Sequence, residues 1–426
     1  MLACGCMEQT YAPGHERRSN WVRFVMRFVL DALPPAPPAG SGPVAHSSRP
    51  YLPLPTQRKR VAVTASSAGA LISSCHSIIL DMVNRGHHVF AFAPELSNND
   101  LRILSHLGAE PCSLPPQPAI WDKYRRMREF STILSDANPH VFLAESARSG
   151  TFSVAAAKMA RVPHVVTIVP SLGPAFMEGA GASAWGRRQA LKPVYRSVFK
   201  WSDAVIFHSA HDRAYAQKNK LLPEKKQQLT VGGWGEDLQR HVKRPLPPID
   251  RGVLFLMATP LDRLQGIVEF CEAAKAMRLK ARRARFFLAS TPGDAVSPLP
   301  PAFLRQYREF VQYIGPVDDP SRLIARCHVI VAPSWGNGAP RSLFQALALG
   351  RPIITTDTRS CRDFVQDGAN GHHVAVRDEA SLARGMIQIL HRPDLMPQMA
   401  EASRRLAVRY YDMNAVNSAL LEALGL

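Results

Sequence analysis

What most limits how this chain can fold is an alternation that runs twice. Apolar runs of strand length are followed by helix-period segments, and a proline-rich break separates two such series. The first series opens at Arg58-Lys59-Arg60-Val61, passes through the small-residue loop Ser66-Ser67-Ala68-Gly69, and continues as one helical pattern to Arg85-Gly86. Strands are predicted at His87 to Pro94, His140 to Glu145, His164 to Pro170 and Asp203 to Ser209. The charged stretch Gln239 to Gly252, with four prolines or glycines among its last eight residues, reads as a domain linker. Strands then resume at Gly252 to Ala258, Arg285 to Ser290, Phe310 to Gly315, His328 to Ser334 and Arg351 to Asp357. Strand, helix, strand units with short connections make right-handed crossovers in parallel sheets. The predicted fold class is therefore α/β: two tandem Rossmann-like, doubly wound, parallel-sheet domains facing a cleft, where ligands of such sheets bind.

Composition fits that size of core, with 426 residues of which 46% are hydrophobic. The formal charge of +18 favours polyanionic partners in general, including diphosphate-linked substrates and anionic lipid. Nucleic acid is not expected, because no interleaving of aromatic and basic residues supports it. Seven scattered cysteines without C-x-x-C spacing argue against a zinc site or a disulfide framework, and suit a reducing, cytoplasmic setting. His76, His106 and His211 have no partners at metal-ligand spacing. No apolar stretch reaches the roughly 18 residues that span a bilayer. Residues 1–58 are rich in Pro, Gly and Ser and are expected to be a disordered tail, within which Trp21 to Leu33 has the pattern of a short basic amphipathic helix. The basic run around Lys280 reads as the solvated end of a helix, and Phe176 to Trp185 as a mobile glycine-rich loop beside the cleft.

The sharpest local signal spans Ala332 to Asp357. A buried strand ends at Pro333-Ser334, a glycine-rich turn follows with Gly336 and Gly338, and Pro340 stands where the first turn of a helix accepts it. Unpaired N–H groups at such a helix start favour a phosphate, although a strand, turn and helix start also occur as plain packing.

This segment resembles the retaining glycosyltransferases of family 4, in particular their capsule and lipid-linked oligosaccharide branch. The pattern P-S-x-x-E-G-x-P-R-x-x-L-E-A-x-A-x-G-R-P-I-I-x-T-D is matched at Pro333, Ser334, Gly338, Pro340, Arg341, Ala346, Ala348, Gly350 to Ile354, Thr356 and Asp357. The match continues from Cys361 to Gly371, similar to C-R-E-x-V-x-x-G-x-N-G. Upstream, Gly233-Trp234-Gly235-Glu236-Asp237-Leu238 is similar to G-S-G-V-D-L, and Ile314-Gly315 with Val317 and Asp318 to the loop that holds the nucleotide base. The resemblance covers about residues 59–426 and implies the glycosyltransferase B fold: an acceptor domain at 59–240, a linker at 241–252, a nucleotide-sugar domain at 253–408, and a final helix in 409–426 that packs back on the first domain.

The resemblance also implies transfer of a sugar from a nucleoside-diphosphate donor with retention, without a metal or other cofactor, to a lipid-linked or glycan acceptor. The setting would be the inner face of an anionic membrane, with the protein peripheral to it. The family's two glutamates fall on Asn337 and Gln345, and the cations that flank the diphosphate fall on Pro260 and Gln265, before Gly266. Two expected histidines fall on Glu145 and on Pro170 or Ser171. Arg263 and Arg341 are candidate replacements for the missing cations, Asn337, Gln345 and Arg341 for the catalytic positions. Ser334, Gly336, Gly338, Ala339 and Pro340 would hold the donor, with Ser67, Gly69, Glu145, Pro170 and Ser171 on the acceptor side. An amide still hydrogen-bonds a hydroxyl but lacks the charge-assisted bond of a carboxylate. Two readings follow: a working transferase, and a transferase-like protein that binds a sugar nucleotide, glycan or partner enzyme without turnover.

Overall fold

The computed structural model describes residues 57–114, 123–145, 147–177, 182–250, 252–278, 281, 283–293, 295, 297–336 and 338–426. The N-terminal tail with its Trp21 to Leu33 pattern, the residues about Lys280, residues 178–181 and Asn337 lie outside the described residues. Of the loop expected at Phe176 to Trp185, Phe176 is instead buried in the core and Ala182 to Trp185 begin a helix, because the apolar residues further along it pack on the sheet.

In the first half β1 (Arg60–Thr64), β2 (His88–Pro94), β3 (Glu110–Leu114), β4 (Val141–Glu145), β5 (His164–Val169), β6 (Ala204–Phe207) and β7 (Gln227–Thr230) form one parallel sheet in the order β3-β2-β1-β4-β5-β6-β7. Its helices are α1 (Ala68–Ser73), α2 (His76–Asn84), α3 (Asn98–His106), α4 (Lys123–Ala137), α5 (Ala147–Met159), α6 (Ala182–Trp201) and α7 (Ala210–Lys218). The second half holds β8 (Val253–Thr259), β9 (Ala284–Ser290), β10 (Val311–Pro316), β11 (Val329–Ala332), β12 (Ile353–Thr356) and β13 (Gly371–Val374), parallel in the order β10-β9-β8-β11-β12-β13. Helices α8 (Ile267–Met277), α9 (Ser321–Ile324), α10 (Arg341–Leu349), α11 (Glu379–His391), α12 (Met396–Tyr410) and α13 (Met413–Leu424) accompany it. In each sheet the order reverses once, between β1 and β4 and between β8 and β11, and the crevice at such a reversal is where ligands sit.

Central strands are legible in the sequence because both their faces are covered: β8 is buried at all seven positions. The strands the sequence does not announce, β3, β7 and β13, are edges of their sheets, and β3 and β7 are only partly covered. An edge strand such as Gln227-Gln228-Leu229-Thr230 needs no continuous apolar run. The single helical pattern expected up to Arg85 is broken into α1 and α2 at Ser74-Cys75, where both N–H groups converge on the Ala70 carbonyl.

Each sheet is covered on both faces. The last helix, α13, crosses to the first half, where Val416, Leu420, Leu421 and Leu424 pack with Val61, Ile79 and Ile206. The proline-rich linker is fastened to the second half. The fully buried guanidinium of Arg351 donates to the carbonyls of Arg244 and Pro245 from the linker, and of Ile324, Ala325 and Gly350. Burial lowers its pKa to about 10. His328 adds a contact from Nε2 to the Pro247 carbonyl.

Candidate active site in the cleft

The glycine-rich turn runs from the end of β11 to the start of α10. Ser334 is buried and its Oγ donates to the Gly338 carbonyl at 3.0 Å, which closes the turn on itself. Thr356, at the end of the neighbouring strand, donates its hydroxyl to the Ser334 carbonyl. Pro340 is extended (φ −67°, ψ 146°) and forms the N-cap, so the helix begins at Arg341 rather than including Pro340 in its first turn. Beneath the turn lies the loop before α8. A Cβ on Gly266 would stand 2.3 Å from the Pro333 carbonyl oxygen, and its φ of 82° is left-handed, so this approach of two backbones needs glycine. Gly338, also left-handed at 81°, faces Ser171 of the first half.

A pocket opens where the two halves meet. Ser334, Trp335, Gly336, Gly338, Arg359 and Ser360 line it from the second half, and Ser171, Gly173, Met177 and Asp212 from the first. The sequence-predicted residues thus brought together are Ser171, Ser334, Gly336 and Gly338. Arg359, Asp212 and Trp335 were not anticipated. Arg359 lies between two stretches that match the family pattern, and no spacing or periodicity distinguishes it.

A buried ion pair between the two domains lines the pocket. Arg359 Nε donates to Asp212 Oδ1 at 2.9 Å, with side chains 9% and 2% exposed. The same guanidinium donates to the Phe176 carbonyl and lies 4.3 Å from the Tyr215 ring centroid, a cation–π contact. Burial pushes the Asp212 carboxyl above the usual range, while Arg359 pulls against that shift. Ser209 Oγ reaches both the Arg359 carbonyl, at 2.7 Å, and Asp363 Oδ2, at 3.1 Å, and His211 Nδ1 stands 2.9 Å from Asp363 Oδ1. His211, given no partner by the sequence, thus belongs to an interdomain contact.

Arg341 crosses the cleft elsewhere. Its guanidinium donates to the Ser73 carbonyl at 3.1 Å and lies 3.9 Å from Glu236 Oε2, with its side chain 59% exposed. Glu236 is buried where the similar family segment has valine, and is 2.9 Å from His241 Nδ1. One turn along α10, Gln345 is 2% exposed, donates to Asp319 Oδ1 at 3.2 Å, and leaves its Oε1 without a hydrogen bond. Burial disfavours the Asp319 charge, but the Ser321 N–H and Arg240 prevail and hold its carboxyl below the usual range. A carboxylate therefore stands beside the amide that replaced one.

The other predicted residues surround these. Gln265 is buried with Oε1 unbonded, and Arg263 is exposed on the 3-10 turn before Gly266. Burial raises the Glu269 carboxyl, against the pull of Arg377 and Arg263, and Arg377 stacks 3.8 Å over the Trp335 ring. Gly315 (φ 105°) marks an irregularity in the β9–β10 register, Ile314 is buried, and Val317 donates its N–H to the Ser290 carbonyl at 2.7 Å. Ala339 packs on the second-domain core. Across the cleft, Ser67 caps α1 by accepting from the Ala70 N–H, Gly69 accepts from Ser73 Oγ, Glu145 is buried at the end of β4, and Pro170 follows β5. Among the described residues no three His, Cys, Asp or Glu side chains converge so as to hold a metal ion.

Comparison with known proteins gives the same plan for both halves. Residues 69–230 match the family model described as glycosyl transferase 4-like domain, and residues 250–392 match that of glycosyl transferases group 1. The chain is similar to N,N'-diacetylbacillosaminyl-diphospho-undecaprenol alpha-1,3-N-acetylgalactosaminyltransferase of Campylobacter jejuni, with 23% identity over 287 residues, covering 65% of this chain and 75% of that protein. It is also similar to phosphatidyl-myo-inositol mannosyltransferase of Mycobacterium leprae, 29% identical over 187 residues, or 41% of this chain and 46% of that one. The solved structure of Anabaena HepE in complex with UDP-glucose superposes with a TM-score of 0.66 at 12% identity, covering 86% of this chain and all of that one. A cleft between two parallel sheets, a glycine turn at its wall and family matches on each side lead to one assignment: the chain belongs to the family 4 glycosyltransferases of the glycosyltransferase B fold.

Proposed function

We propose that this glycosyltransferase takes its sugar from a nucleoside-diphosphate donor, transfers it with retention, and delivers it to a lipid-linked or glycan acceptor of envelope or exopolysaccharide synthesis at the inner face of the membrane. The observation that carries this reading is the pocket in which the Ser334 to Gly338 turn faces Ser171, Gly173 and Asp212 of the other domain. Such a site holds donor phosphate on one wall and acceptor on the other. The names of relatives support it: the Campylobacter enzyme is named for a diphospho-undecaprenol acceptor, and HepE was solved with UDP-glucose.

In this reading the departing diphosphate is stabilised by the turn and the first N–H groups of α10, together with arginines drawn from new positions. Arg341 follows the turn at the start of α10, Arg263 precedes Leu264, whose carbonyl accepts from the Trp335 N–H, and Arg377 lies over the Trp335 ring. The Gln345 amide and the Asp319 carboxylate act as one unit in place of the lost glutamate, to hold donor hydroxyls.

Calorimetric titration with uridine, guanosine and adenosine diphosphate-sugars tests the donor site. One donor is expected to bind with micromolar affinity, reduced about 10- to 100-fold by Arg341→Ala or Arg263→Ala, the weight of one charged hydrogen bond. NMR of the anomeric proton in the product tests retention. Failure of every donor to bind overturns the reading.

A further inference from the structure

Helix α6 spans about 30 Å along the outside of the first domain and carries Arg187, Arg188, Lys192, Arg196 and Lys200 with no acidic residue. Tyr195, Val198 and Phe199 bury its inner side in the domain core. The two ends of the helix hold tryptophans that the core does not take in: Trp185 is 61% exposed and Trp201 40%. On the two helices packed in the same layer, Met159 at the end of α5 and Ile133 on α4 are also exposed, so four of the eight large hydrophobic side chains exposed among the described residues lie on this one layer of helices. On α4, Arg128 is exposed and adds to this charge, while Arg125 is paired with Glu129 at 3.8 Å.

An exposed tryptophan is costly in water and stable at a membrane interface, where its ring enters the headgroup level while its N–H stays hydrogen-bonded. Cations between two such anchors, with no carboxylate among them, match a surface of anionic headgroups. We infer that the α6 face of the first domain is a docking surface for an anionic lipid bilayer. This rests on the proposed transfer to a membrane acceptor, and it adds where the membrane lies. Arg188 gives the position a consequence, since it donates to the carbonyls of Ala175 and Met177, at 2.9 and 2.8 Å, in the loop whose Met177 lines the cleft pocket. Docking through α6 sets the bilayer beside the wall of the cleft that receives the acceptor.

The test is co-sedimentation of the full chain with vesicles containing phosphatidylglycerol, and with vesicles of phosphatidylcholine alone. The wild type is expected to partition onto the anionic vesicles. Arg187→Gln, Lys192→Gln and Lys200→Gln combined should weaken partitioning about a hundredfold, at about fivefold per cation, and Trp185→Ala with Trp201→Ala should weaken it comparably. A control that removes as much charge from the second domain, Arg305→Gln with Arg308→Gln and Arg384→Gln, should change it less than threefold. Circular dichroism and donor titration of each variant separate docking from folding. Partitioning that survives both α6 variants, as it would if the Trp21 to Leu33 segment bound the lipid, overturns the inference. So does equal loss in the second-domain control, or binding to RNA through α6 with no vesicle binding. Donor binding without vesicle binding would reject the docking face and leave the transferase reading intact. Vesicle binding without donor binding would do the reverse.

Discussion

Arg341 and Arg359 both leave the second domain and end on the first, yet they work in opposite surroundings. Arg341 is mostly in water and touches one carbonyl and the edge of a carboxylate, whereas Arg359 is enclosed by Asp212, Phe176 and Tyr215. A charge in water is screened and its pairing contributes little to stability. A charge taken out of water is costly until its partners are in place, and then their removal is costly in turn. The Arg341 crossing can therefore exchange its partners for a ligand at small cost, while the Arg359 crossing joins the two domains through a buried pair that is costly to break.

The largest expected effect comes from Asp212→Ala, which leaves Arg359 buried without its carboxylate. About 3–5 kcal/mol of stability should be lost, seen as a lowered denaturation midpoint that Asp212→Ala with Arg359→Leu partly restores. An unchanged midpoint would mean that water reaches Arg359. A smaller loss is expected from Gln345→Glu, although it restores the residue type of the family pattern. The new carboxylate would face Asp319 at a 2% exposed site, at a cost of about 1–3 kcal/mol. The midpoint should fall and transfer should not improve. Faster transfer would show that Asp319 does not stand in for the lost charge.

Acid sharpens the comparison further. His208, next to Ser209 at the buried crossing, is driven down to about 3 by burial. Its native pKa is depressed below the ordinary value near 6.5, so the unfolded chain takes up its proton first. The stability conferred by keeping it neutral is complete above pH 6.5 and is lost as pH falls toward 3, by at most about 1.4 kcal/mol per pH unit. His208→Gln should flatten denaturation midpoints over that window, and an unaltered pH slope would contradict it. The smallest stability effect, under about 1 kcal/mol, is expected for Arg341→Ala, together with the loss of donor affinity described above. A large loss of stability there would make the two crossings equivalent.

Much of the second-domain wall of the cleft was legible because it is local. The Ser334 to Pro340 turn, the strand before it and the helix after it occupy one short run of sequence, and the hydrogen bond that closes the turn joins residues four apart. Gln265 and Gln345 could be placed at the site but not given partners, since Asp319 lies 26 residues from Gln345. Glu236 lay unremarked within a segment similar to the family pattern, and nothing in the sequence indicated its pairing with His241 in a buried site. Arg359 went unseen because an arginine after a strand is most simply read as a solvated side chain, whereas here it is buried against Asp212, Phe176 and Tyr215 of the other domain.

By itself the sequence determined the alternation of strands and helices, the glycine turn and the family. Each of these is set by side-chain periodicity or backbone conformation over a few residues. Tertiary structure decided which charges are buried, which carboxylate stands beside Gln345, and that Arg359 meets Asp212, 147 residues away. A charge is favourable or costly according to the solvent and partners around it, and those are fixed only when two separately built sheets close on each other.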